Sequence, residues 1–556
     1  MELTEEDKGH VQPQSDTHMI LDTAYRLLNV CNLLHTVCMT AGTTHTLPTR
    51  VVDVGNSKRL PSLCLSNGRS DRYCTLSYCW GSSSGWFNTT SDNLSKRTQF
   101  LPFTINGKPM PKTYHDAIVI TRRLGIRYVW IDALCIIQDS AEDWQRESAK
   151  MREIYRNSYC TIAATGSTDV EEGILNFRPA QQLSTSEVVF GQSRPKITYF
   201  GRHLKPTIPD KTRLIVDATF SNRGWIFQEM LLSPRTLHFT AHCLYFDCLS
   251  GTSSELDSVD NPRPSEDPDL SLKKVLIDQR TCHSSTAYAF WWNIIYEFTR
   301  KDLTKEADRL PAISGIASRI HMNVADYYVA GLWQNELVEG LQWVVATEYE
   351  RVPERLPRRP NIFVAPSWSW ASVIGPISSA KMPLSKWKTD WDAETWSSAL
   401  EIVDVKVELV NADNIYGQVT SGLLRVRGRI KKVDVSHPRN RIINGLLEVP
   451  EGKGHWPGKY WEDVIRFDVL EEHLKPSERN NLCCLEVYRC IKKQPSSSWY
   501  NHPKDAPVPP NFSDTVCFHA LVLRPTGLHQ YQRVGFAKLT TRTYFDGCDI
   551  HTVDII

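Results

Sequence analysis

The sequence predicts an α/β amino-terminal domain built on a parallel sheet with flanking helices. A helical middle segment and a β-rich carboxyl-terminal region follow it. Three observations predict this. Between Arg72 and Gly166, short runs rich in aromatic and β-branched residues alternate with amphipathic stretches, as strands joined by helical crossovers do. Residues 287–299, with Trp291, Trp292 and Ile295, and residues 310–330 read as helices. After Pro366 the chain turns to short alternating runs punctuated by Pro and Gly, such as 423–435 and 515–523.

The elements follow in order. Residues 19–38 read as an amphipathic helix, because Asp22 and Arg26 interrupt the apolar stretch. Residues 73–80 are the first strand. Residues 111–124 are a helix with Tyr114, Ala117, Ile118 and Thr121 on one face and Gly125 as its stop. Residues 128–137 form an apolar run expected to be the second, buried strand, with Asp132 midway and Gln138 and Asp139 at its end. Ser140 and Asp143 have the spacing of a capping box, and Trp144, Ser148, Met151 and Tyr155 then recur at helical spacing. Residues 159–165 are the third strand, ended by Gly166. Residues 177–211 are polar and read as a surface insertion or hairpin, and 221–246 are compact and aromatic again. Residues 253–269 are acidic, with Pro262, Pro264 and Pro268, and read as an exposed loop or linker. The expected division is a helical extension over 1–69, the α/β domain over 70–250, a linker and mainly helical segment packing on it over 251–376, and the β-rich region over 377–556.

Composition narrows the class. Of 556 residues, 41% are hydrophobic and 23% charged, as in an ordinary globular protein rather than a disordered one. The net charge of +1 lacks the electrostatic footprint of a nucleic-acid or anionic-membrane binder. There is no apolar amino-terminal core of a secretory signal and no apolar run long enough to span a membrane, so a cytoplasmic location is expected. Fifteen cysteines without a C-x-x-C pair fit reduced thiols in that compartment. Cys74/Cys79 and Cys243/Cys248 share a four-residue gap, which is weak evidence for a metal. Core cysteine is the favoured reading, and no metal ligands are assigned.

Candidate chemistry is sparse. Gly81 to Gly85 matches G-x-S-x-G, but Trp86-Phe87-Asn88 is a poor helix start, so a flexible loop is favoured over a nucleophile elbow. Gly452 to Lys459 has the wrong glycine spacing for a phosphate loop, and neither H-E-x-x-H nor G-x-G-x-x-G occurs. Asp132 is an acid inside an apolar run and must be paired, hydrogen-bonded, protonated or placed at a cleft. The structural reading is an ion pair with Arg223 or Arg235; the functional one is a polar group near the sheet's carboxyl edge, where such folds bind ligands. Glu229, flanked by Trp225, Phe227 and Leu232, is the other candidate acid or base, since burial raises a carboxyl pKa. For Trp368-Ser369-Trp370, packing is favoured over stacking on a sugar or a base.

Three segments together resemble the fungal heterokaryon-incompatibility (HET) domain. They are Leu76-Ser77-Tyr78-Cys79-Trp80-Gly81; Trp130-Ile131-Asp132-Ala133-Leu134-Cys135-Ile136 with Gln138, Asp139, Met151, Ile154 and Tyr155; and Arg223-Gly224-Trp225-Ile226-Phe227-Gln228-Glu229 followed by Leu232-Ser233-Pro234-Arg235. The resemblance covers roughly residues 70–230 and weakens after 380. Cys79, Ile137 and Gly224 depart from the family's common residues, and Ile137 removes a polar group from the end of its run.

The resemblance implies a role in non-self recognition between fungal cells, ending in growth arrest or cell death through a protein partner or self-association. The family is in turn described as similar to TIR domains, some of which cleave NAD. That implies a TIR-like fold and an NAD glycohydrolase as the alternative, with NAD as substrate, no cofactor evident, and Glu229 then Asp132 as catalytic candidates. Some family members sit beside secondary-metabolite genes, so an accessory biosynthetic role stays open.

Overall fold

In a computed structural model the chain forms two compact units, Met1–Thr281 and Cys282–Ile556. The structure describes residues 13–38, 43–82, 85–105, 107–175, 186–188, 197–199, 215, 218–255, 273, 276, 284–346, 356–380, 394–433, 441–443, 446–449, 463–469, 481–492, 515–539 and 543–556. Most of 177–211 and 253–269, the glycine segment 452–459 and two serines of the Gly81–Gly85 motif lie outside the described residues.

The first unit is organised by an eight-stranded sheet. Its strands in chain order are β1 (Arg50–Asp53), β2 (Ser62–Leu65), β3 (Tyr73–Ser77), β4 (Tyr128–Trp130), β5 (Cys160–Ala163), β6 (Arg235–Phe239), β7 (Leu244–Cys248) and β8 (Gly251–Ser254). In space they run β8-β7-β6-β5-β3-β4-β1-β2. The four central strands β6, β5, β3 and β4 are parallel, while β1, β2, β7 and β8 join antiparallel. The expected parallel sheet is thus the centre of a mixed one. Every residue of β3, β4, β5, β6 and β7 is buried, so none of these strands has the one-sided alternation of a half-exposed strand.

Helices cover this sheet: α1 (Pro13–Leu34), α2 (Lys112–Arg123), the single turn α3 (Asp132–Cys135), α4 (Ala141–Arg156) and α5 (Gly224–Leu232). Tyr114, Ala117, Ile118 and Thr121 of α2 are buried as their spacing requires, and Gly125 takes the positive φ of 71° that ends the helix. Ser140 caps α4 by accepting the Asp143 N–H at 3.1 Å. The reciprocal half of the box is replaced. The Asp143 carboxylate accepts from the Ile137 N–H at 2.8 Å and forms a buried ion pair with Arg50 of β1. The segment before residue 70 is therefore not only a helical extension, since β1 and β2 belong to the sheet. They escape the sequence pattern because each has only four residues and β1 places charged Arg50 and Asp53 in buried positions.

The expected strand 128–137 ends at Trp130, and the chain turns into α3. An apolar run reports burial, and a buried helical turn satisfies it as well as a strand does. The difference moves Asp132 from mid-strand to the carboxyl end of β4.

In the second unit, α6 (Ser284–Thr299) and α7 (Pro311–Val324) precede a ten-stranded sheet whose longest members are β9 (Val419–Lys432), β10 (Cys483–Lys492), β11 (Thr515–Gly527) and β12 (Gln530–Leu539). The tryptophan cluster is core. Trp368 and Trp370 are fully buried, and Trp343 Nε1 donates to Trp368 O at 2.9 Å. Trp370 Nε1 and Trp291 Nε1 share Gly331 O at 2.7 and 3.0 Å. Gly331 has φ +99° and would place a Cβ 2.6 Å from Trp370 Nε1, so only glycine fits there. Buried Arg533 of β12 pairs with Asp468 at 3.2 Å and donates to Leu341 O and Trp343 O at 2.7 and 2.5 Å, so the helical segment and the β-rich region share one core. No described helix is long and apolar enough to cross a membrane.

Candidate functional site

The carboxyl ends of β3 and β4 and the helix α5 meet at one place. Ser77 is the last residue of β3, and Tyr78 to Gly81 leave the sheet from it. Asp132 opens α3 directly after β4. Glu229 lies on α5, a helix whose residues are mostly apolar and buried. In parallel sheets the strand ends at this edge are where ligand-binding groups collect.

Asp132 is part-buried, with its carboxylate packed round by protein. It accepts from Tyr78 Oη at 2.7 Å, Trp80 Nε1 at 2.8 Å and the Ala133 N–H at 2.7 Å. Burial pushes its pKa upward against the pull of these donors and of the Arg223 charge. Tyr78 also contacts Tyr114 Oη at 3.0 Å, their rings edge to face with centroids 5.4 Å apart. Burial and the Asp132 charge hold the Tyr78 phenol well above its ordinary pKa, which keeps it a donor.

Glu229 is 7% exposed and accepts from Ser77 Oγ. Burial pushes its pKa up to about 7; Ser77 pulls against this, the Asp132 charge adds to it, and Tyr155 and Arg223 pull against it. Burial raises both carboxyl groups at this strand edge, and two such groups side by side are candidates for an acid and a base. Asp132 and Glu229 thus belong to one cluster on the same edge of the sheet, with Ser77, Tyr78, Trp80, Tyr155 and Arg223 around them.

The expected ion pair between Asp132 and an arginine of the third block is not formed. Arg235 begins β6, is fully buried, donates to Cys38 O at 2.7 Å and stacks 5.2 Å from the centroid of Tyr159. Asp132 instead draws on an indole, a phenol and a backbone N–H, groups that sequence spacing alone does not single out. Tyr114, whose hydroxyl meets that of Tyr78, carried a signal only as a helix-face residue, whereas Tyr155, beside Glu229, stood in the second motif block as well.

The other motif residues have structural work. Gly81 has φ +69°, and a Cβ there would lie 2.7 Å from Asp169 Cα, with the Asp169 carboxylate closer still. Gln138 Nε2 donates to the carbonyls of Asp132 and Ile136, both at 3.1 Å, and closes the α3 turn. Asp139 accepts from the Ser91 N–H at 2.9 Å, and the Cys135 carbonyl accepts from Arg50 Nε at 2.6 Å. Trp225 packs edge to face on Trp144 with centroids 6.4 Å apart, and Gln228 is buried in α5.

A cavity of about 570 Å³ opens at the opposite edge, where β3 begins at Tyr73, lined also by Thr49, Lys150, Glu153 and Asn157. Of the motif residues, Ile154 alone lines it, and neither Asp132 nor Glu229 does. The chemistry-bearing groups and this cavity therefore occupy different ends of the strands.

No curated protein and no solved structure matches the chain. Residues 73–229 match the family model described as heterokaryon incompatibility protein (HET), a segment that begins at the first residue of β3 and ends on Glu229. Residues 73–229 are thus a HET domain.

Proposed function

We infer that this protein acts in fungal non-self recognition and that its output is growth arrest or cell death. The observation that supports this reading is the convergence of all three motif blocks of the family-matched segment on Asp132 and Glu229. The blocks are far apart in sequence and meet at this one edge of the sheet. A partner protein or a second copy of the chain is the trigger that family membership suggests.

A second reading shares the same cluster. Glu229, with a pKa near 7, can hold or release a proton at neutral pH, and an ionised Asp132 can stabilise positive charge that develops nearby. Cleavage of the bond between nicotinamide and ribose in NAD develops such charge, so a TIR-like NAD glycohydrolase activity is the enzymatic form of the proposal.

One experiment addresses both. The full chain is expressed from an inducible promoter in a filamentous fungus, and growth and cellular NAD are followed together. Arrest with NAD loss, both abolished by Asp132→Asn with Glu229→Gln in a chain that stays soluble, supports the enzymatic form. Arrest without NAD loss supports signalling alone. Normal growth with abundant soluble chain overturns the toxicity reading.

A further inference from the structure

Outside the Asp132 and Glu229 cluster, four side chains with the donor set of a metal site come together. Cys31 lies in the last turn of α1, His35 follows the end of that helix, and Cys38 closes the short turn after it. Cys248 is the last residue of β7. Their ligand atoms all lie within 4.8 Å of one another. His35 Nδ1 is 3.2 Å from Cys248 Sγ, and the other ring nitrogen is buried with no hydrogen-bond partner. Cys31 and Cys38 are fully buried and Cys248 is 1% exposed.

The geometry fits a small tetrahedral cation. With metal–sulfur bonds of about 2.3 Å and a metal–nitrogen bond of about 2.0 Å, the edges of the tetrahedron are about 3.5–3.8 Å. A cluster whose widest separation is bounded by 4.8 Å needs to contract by only about 1 Å. Three thiolates and one imidazole are a zinc donor set, since soft sulfur and tetrahedral S/N geometry select against Mg²⁺ and Ca²⁺. All four positions are filled by protein, which marks a closed structural site rather than a catalytic one.

Arg235 supplies an independent observation. Its Nε and Nη1 are buried without partners, and among the described residues no carboxylate pairs with it. It sits against the cluster from two sides, donating to the Cys38 carbonyl at 2.7 Å and facing Cys248 across the β6–β7 ladder. A fully buried guanidinium without a counter-charge is costly. Zn²⁺ with three thiolates and a neutral imidazole carries a net charge of −1, which is the counter-charge this arginine lacks. Ser250 Oγ, 3.7 Å from Cys38 Sγ, is placed to donate to a thiolate.

We propose that Cys31, His35, Cys38 and Cys248 bind one Zn²⁺ in a closed tetrahedral site that fastens α1 to the end of β7. Binding releases the protons of the three thiols to solvent and changes no oxidation state. Three ligands precede the family-matched segment and one follows it, so the metal clasps the chain on both sides of residues 73–229. A link of that span restricts a very long loop, where closure removes the most unfolded-state entropy.

The test uses the full chain purified under reducing conditions without chelator. Elemental analysis is expected to find one equivalent of zinc per chain. Cobalt(II) exchange is expected to give thiolate-to-cobalt charge transfer and tetrahedral d–d bands. The double variant Cys38→Ser, Cys248→Ser is expected to lose the metal, while Cys484→Ser, a buried cysteine of the other unit, keeps it. If the double variant does not fold, His35→Asn and metal titration of the chelated wild-type chain replace it. Hydrogen exchange in α1 is expected to rise when the metal is removed. Reduced wild-type chain that contains no zinc and takes up no cobalt overturns the proposal. Zinc that survives the loss of Cys38 and Cys248 overturns it, as does a disulfide between two of these cysteines in the chain as isolated from cells.

Discussion

At the scale of single residues, Glu229 links the candidate site to stability. Its ordinary carboxyl pKa is raised to about 7 in the folded chain. Between about pH 4.5 and 7 the folded state therefore binds more protons than the unfolded state, and stability falls as pH rises through that window. The shift corresponds to about 3 kcal/mol at most, present below the unfolded pKa and lost above the folded one. Glu229→Gln keeps an acceptor for Ser77 Oγ and removes the titration. Its stability relative to wild type is expected to improve by up to about 3 kcal/mol between about pH 4.5 and pH 8, read by urea unfolding at each pH. A constant difference across that range refutes the buried, raised carboxyl. Asp132 shows how far sequence reaches at this scale. Its oddness inside an apolar run was legible, and so was Glu229 in its aromatic frame. The donors to Asp132 were not, because Tyr78 and Trp80 arrive from the end of a different strand.

At the scale of elements, a buried ion pair sets where α4 begins. Arg50 and Asp143 have side chains 5% and 3% exposed, and Arg146 and the Ile137 N–H complete the shell around Asp143. Removing one partner strands a charge in the interior. Arg50→Met is expected to cost about 3–5 kcal/mol, and Asp143→Leu a similar amount. The double variant is expected to recover much of the loss, since replacing both charges with apolar groups is often nearly neutral. Thermal unfolding of the four chains closes the cycle, and strictly additive losses would show that the pair does not act as a unit. The helix itself was legible because Ser140, Asp143 and the apolar spacing agree; α2 was legible because periodicity and Gly125 agree. Strand β4 was overrun because the apolar residues after Trp130 stay buried in a helical turn. The antiparallel partners β1, β2 and β7 were unreadable as such, since strand direction depends on register between distant segments.

At the scale of the whole molecule, the amount of core on each side of residue 281 makes a prediction about folding. Met1–Thr281 holds the complete eight-stranded sheet with its helices, including β1, β2, β7 and β8, which lie outside the family-matched segment. Cys282–Ile556 holds α6, α7, the tryptophan cluster and the ten-stranded sheet, joined through Arg533 and Asp468. Each has its own buried core, and each lies near the upper size at which a chain folds around a single core. Residues 73–229 alone are a different case. That segment keeps β3, β4 and β5 but lacks β6, the parallel neighbour of β5, and β1, the antiparallel neighbour of β4. It would expose both edges of a hydrophobic sheet and leave Asp143 without Arg50. Expressed separately, 1–281 and 282–556 are expected to be soluble and to unfold cooperatively by circular dichroism. The excised 73–229 is expected to aggregate or to show no cooperative transition. A stable, cooperative 73–229 fragment would mean that the flanking strands decorate the sheet rather than complete it, and that the unit supporting Asp132 and Glu229 is smaller than the first 281 residues.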